Sequence, residues 1–127
     1  MSNYNFRQAL NEVKQEKQEE ISREVDKVLR SVVQAISQVK KFFSDETLDK
    51  IYFEQQGCKI VIFLEDVNSS ATFPYYRFTE YLCSGSEDAL VLLEEIKSRL
   101  KKEEFVIKTN EELSRSARGF VVITKKE

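Results

Sequence analysis

The sequence predicts an α+β fold: a mostly antiparallel five-stranded sheet, element order α-β-β-β-α-β-β, with a long N-terminal helix and a second helix packed on the sheet. Three observations predict it. Residues 5–43 contain no Gly or Pro and carry apolar residues at helical spacing. The segments 48–54, 58–65, 72–83, 104–109 and 120–124 are short and rich in Val, Ile, Phe, Tyr and Thr. Between the third and fourth of them, residues 84–102 return to a helical period.

In the first helix the apolar residues from Ile21 recur at Val25, Val28, Val32, Ala35, Val39 and Phe42, and Leu29, Val33, Ile36 and Phe43 widen the stripe. Such a face is made for burial, and packing on the sheet is favoured over a coiled-coil seam. The leading half differs. Lys14 to Glu20 contains no apolar residue, and before it only Phe6, Leu10 and Val13 form a thin line. A helix over 5–43 would be roughly 58 Å long at about 1.5 Å per residue. A compact domain of this size is near 35 Å across. The chain is therefore read as a polar helical arm over 1–20, frayed or shared with another chain, and a single α+β domain over 21–127.

Ser44-Asp45-Glu46 ends the helix. Gln55-Gln56-Gly57 suits a hairpin turn between the first two strands, with Gly supplying positive φ. Asp66 to Ala71 is a polar loop, and Pro74 stands near the start of the third strand, where a missing donor is tolerated. On that strand strict alternation puts Tyr75, Arg77, Thr79 and Tyr81 on one face and Tyr76, Phe78 and Leu82 on the other. Ser84-Gly85-Ser86-Glu87 reads as an S-x-x-E helix start, with Leu90, Leu93, Ile96 and Leu100 as the buried stripe of the second helix. Its acidic residues lead and its basic ones trail, in accord with the helix dipole. Thr109 and Glu112 can cap a short helical turn before Gly119. The two main helices are expected on one face of the sheet, or the first is committed to a dimer.

Composition narrows the function classes. The net charge is −2, and no third of the chain has an excess of Lys and Arg, so nucleic acid is an unfavoured partner. The longest apolar stretch, Ile60 to Leu64, is far too short to span a bilayer, and the N-terminus lacks a signal-type apolar run. A cytoplasmic protein without membrane partners is the expectation. Cys58 and Cys83 are then reduced, and are read as small hydrophobes rather than reactive thiols. There is no His, no Gly-rich phosphate loop and no nucleophile motif, so no catalytic residue, metal or cofactor is assigned and an enzyme is disfavoured. Glu65 and Asp66, followed by Asn68, are weighed as cation ligands and set aside, because neighbours in a strand point to opposite faces.

Two groups of residues remain as candidate sites. Ser114, Arg115, Ser116 and Arg118 can hold a phosphate or carboxylate, although Glu111 and Glu112 compete for the two guanidinium groups. Phe6, Leu10 and Val13 on the arm, with Tyr75, Arg77 and Tyr81 on the third strand, are candidate interface residues. The resulting expectation is a non-enzymatic protein-interaction or assembly module, homodimeric and of adaptor or chaperone kind. The alternative is a small-ligand or anion-binding domain using the Arg115/Arg118 segment. Element order, size and the isoelectric point of about 5.4 resemble those of the small acidic dimeric chaperones of type III secretion. No sequence motif joins that resemblance, and the closing helix of that fold has no counterpart after the fifth strand.

Overall fold

The computed structural model describes residues 3–66, 70, 75–109 and 118–125. Its elements are α1 (Phe6–Val39), β1 (Lys50–Gln56), β2 (Lys59–Glu65), β3 (Tyr75–Leu82), α2 (Ser86–Lys102), β4 (Val106–Thr109) and β5 (Gly119–Ile123), with 3-10 turns at Lys40–Phe42 and Asp45–Leu48. The five strands form one antiparallel sheet in the order β3-β2-β1-β5-β4. The α+β fold and element order are those the sequence predicts. Since β3 and β4 are the two edges, α2 must carry the chain across the sheet from one edge to the other.

Both helices pack on the same face. Val25, Val28 and Val32 of α1 join Ala89, Leu92, Leu93, Ile96 and Leu100 of α2 over Phe53, Ile60, Ile62, Phe120 and Val122 of the sheet. Phe53 and Phe120, opposed across β1 and β5, stack at 5.1 Å between centroids. A smaller cluster of Tyr52, Val61, Phe63 and Val121, with Tyr75 and Ile123 against it, lies on the opposite face and is built from strand residues. This follows from the pleat, which sends alternate residues of β1, β2 and β5 to opposite sides.

Local differences from the sequence reading have physical causes. The helix tightens to 3-10 geometry at Lys40–Phe42, which moves Phe42 out of the apolar stripe and leaves it 75% exposed. Gln56 opposes Lys59, so the hairpin loop is Gly57-Cys58 rather than Gln55-Gln56-Gly57. Gly57 has φ +60° while Cys58 does not have positive φ, the pattern of a II′ turn. The start of α2 is Gly85, with no side-chain cap from the S-x-x-E sequence. That helix ends in a Schellman arrangement: Glu104 takes φ 69° and the Phe105 amide donates to the Leu100 carbonyl at 3.2 Å. The short helical turn expected after Thr109 and the position of Pro74 lie outside the described residues.

One irregularity matters for the site. Ile62 opposes Thr79, but Phe63 opposes Arg77, so Phe78 is an extra residue in the ladder. Beyond that bulge the alternation of β3 is inverted. Tyr81 and Phe78 pack with the helix-covered core, whereas Tyr75 belongs to the cluster on the other face.

Candidate interaction surface

The arm of α1 begins at Asn5, whose Oδ1 accepts from the Gln8 amide at 3.0 Å and satisfies an orphan donor of the first turn. Gln8 and Gln15 each reach a Glu one turn on, Glu12 and Glu19, at 3.4 Å. From Phe6 through Glu20 every residue except the half-buried Ala9 is exposed. Phe6, Leu10 and Val13 are 66%, 44% and 60% exposed. Their spacing of four and three places them in one line along the helix. The second half of the same helix, from Ile21, is the half that joins the core.

The two halves meet at a notch of about 600 Å³ where α1 passes the end of β3 and the start of α2. Ile21, Leu82, Val91 and Leu92 give it an apolar floor, and Lys17, Glu20, Glu24, Glu87 and Asp88 a charged rim. Leu82 and Val91 are well exposed. Side chains of β3 and α2 hold the helix here. The Tyr81 hydroxyl donates to Glu24, which pushes the phenol pKa up to about 12, mainly through that hydrogen bond and then through burial. Arg99 pairs with Asp26 at 2.5 Å and donates to Ser22 Oγ at 2.8 Å, tying α2 to α1. The hydrogen bond and charge of Arg99 hold the Asp26 carboxyl below its usual range.

The bulge separates the three strand residues that strict alternation groups together. Tyr81 faces α1. Tyr75 packs edge-on against Tyr52 at 5.0 Å on the opposite face. On that face Arg77 donates to Gln56 Oε1 at 2.5 Å and pairs with Glu80 at 3.2 Å, and Lys59 pairs with Glu80 at 3.3 Å. The expectation that Tyr75, Arg77 and Tyr81 share one face is thereby corrected: the extra residue turns one aromatic to each side. Beneath Arg77, Glu54 is only 5% exposed, and burial raises its pKa while Gln56 and Arg77 counter the rise.

Of the anion-binding candidates, Ser114, Arg115 and Ser116 lie outside the described residues. Arg118 is exposed, and its carbonyl accepts from the Gln55 amide at 2.8 Å as the ladder between β1 and β5 begins. Among the described residues no cluster of three or more His, Cys, Asp or Glu is placed to hold a metal, and no helix is long and apolar enough to cross a membrane.

Sequence reasoning missed the pairing of the two cysteines. Cys58 and Cys83 are remote in sequence, but the Cys83 amide donates to the Cys58 carbonyl at 2.8 Å. The signal was available only through strand register, which single-sequence periodicity does not fix. Comparison with protein-family models, with curated proteins and with solved structures finds no match.

Proposed function

We propose that this chain is a non-enzymatic interaction module that assembles as a homodimer through the arm of α1. The observation carrying this reading is the line of Phe6, Leu10 and Val13, exposed on a helical stretch that its own chain leaves uncovered. Burying what these three side chains still expose is worth about 2.5–5 kcal/mol per chain, taking roughly 1.5–3 kcal/mol for each apolar side chain taken from exposed to buried. An isolated polar helix of that length is marginal in water, so a partner stabilises the arm as well as the contact.

In a two-fold arrangement the same patch, the line of Phe6, Leu10 and Val13, serves both copies.

Light scattering on the full chain and on a version lacking residues 1–20 tests the proposal. The full chain is expected at twice the monomer mass at micromolar concentration, and the shortened chain at the monomer mass. A full chain that stays monomeric throughout would remove the dimer.

A further inference from the structure

Lys59 and Leu82 form the last ladder pair of β2 and β3, and the Cys83 N–H···O=C Cys58 bond extends that ladder by one residue. The two cysteines are therefore opposed. Residues opposed at a hydrogen-bonded position of an antiparallel ladder lie about 5.5 Å apart at Cα, inside the roughly 4.4–6.8 Å that a disulfide spans. Both are free thiols and both are partly accessible. Cys58, in the hairpin turn, is open to a small reagent, and Cys83 lies on the wall of the notch. The backbone around them is held: the Gln55 side-chain amide donates to the Gly57 carbonyl at 3.1 Å and to the Ser86 carbonyl at 2.7 Å, joining the hairpin turn to the first residue of α2.

We propose that Cys58 and Cys83 form a dithiol site that exchanges with low-molecular-weight disulfides of the glutathione type and closes as an intrachain cross-strand disulfide. In the first step the Cys58 thiolate attacks one sulfur of the small disulfide. The S–S bond of that molecule breaks, one small thiolate leaves and takes up a proton, and a mixed disulfide remains on Cys58. In the second step the Cys83 thiolate attacks Cys58 Sγ and expels the other small thiolate. The protein gives up two electrons and two protons, and the small disulfide is reduced to two thiols.

The order of attack follows from the surroundings. Burial, then Glu24, Asp88 and Cys58 itself, raise the Cys83 pKa. A thiol so placed is a poor first nucleophile, and it serves in the second step, where the mixed disulfide is already beside it.

The test treats the full chain with glutathione disulfide under native conditions, followed by mass spectrometry and peptide mapping without reduction. The expected product has lost two hydrogens, carries no glutathione and links the Cys58 and Cys83 peptides within one chain. Cys58→Ser and Cys83→Ser are each expected to stop at a glutathione adduct. The same exchange in guanidinium supplies a reference in which chain statistics alone bring the thiols together. The folded chain is expected to close with an effective concentration at least about tenfold higher. Stable glutathione adducts on the native chain, a link between two chains, or closure no more favourable than in guanidinium would each overturn the proposal.

Discussion

The two halves of α1 have the same backbone and opposite surroundings. From Ile21 onward the helix gives the core Val25, Val28 and Val32, with Val28 fully buried, and polar contacts from β3 and α2 hold it there. From Phe6 to Glu20 it is a continuous helix whose large apolar residues, Phe6, Leu10 and Val13, stay exposed. At about 1.5 Å per residue its 34 residues extend roughly 51 Å. The difference teaches that helix formation and helix burial are separate properties. The first is set by local propensity and capping; the second needs an apolar stripe of sufficient width opposite a surface of sufficient length.

Substitutions can break this contrast or sharpen it. The largest effect is expected for Val28→Asp, which puts an unpaired carboxylate into the core and costs about 3–5 kcal/mol. Chemical denaturation should show the midpoint fall steeply, and a shift of only a few tenths of a kcal/mol would mean that this half is not anchored as described. Arg99→Ala is expected to produce a smaller loss with a pH signature. Asp26 is held below its ordinary value, so its contribution is present above the unfolded carboxyl pKa and fades as pH falls through the lowered one. Stability of the parent should therefore fall on that acid limb, and Arg99→Ala should flatten it. An unchanged limb would show that the clamp does not couple the helices.

Tyr81→Phe acts at the junction of the halves, with a loss of about 0.5–1 kcal/mol after allowance for solvent screening. Its sign runs the other way. The phenol pKa is raised to about 12, so the contribution is complete below the ordinary value of 10 and disappears as pH climbs toward 12. Tyrosinate absorbance in a pH titration should show one fewer late-titrating phenol in the variant than in the parent, where burial raises Tyr76 as well. The smallest effect on stability is expected for Val13→Asp, within about 0.5 kcal/mol for the monomer, while dimer formation by light scattering is lost. Destabilisation of the monomer as large as that of Val28→Asp would place the arm against its own chain and erase the contrast.

Much of this was legible beforehand because it depends on short-range patterning. The helical period of 21–39, the short runs rich in Ile, Val, Phe and Tyr that become β1, β2 and β5, and the polar run of 14–20 are local facts, and the elements lie within a few residues of their expected bounds. The misplacements arose where a single residue changes the geometry. The 3-10 tightening at Lys40–Phe42 exposed Phe42, the two-residue Gly57-Cys58 turn shifted the hairpin, and the bulge at Phe78 moved Tyr81 to the helix side, away from Arg77. A pleat has a period of two, so one inserted residue inverts every assignment beyond it.

By itself the sequence determined the α+β class, the order of elements and the mismatch between a long helix and a small core. These follow from composition and periodicity, which act over a few residues at a time. Only the tertiary structure decided the strand order β3-β2-β1-β5-β4, the packing of both helices on one face and the opposition of Cys58 to Cys83. Those depend on which distant segments pair and in what register, and that choice is made by burial over the whole chain.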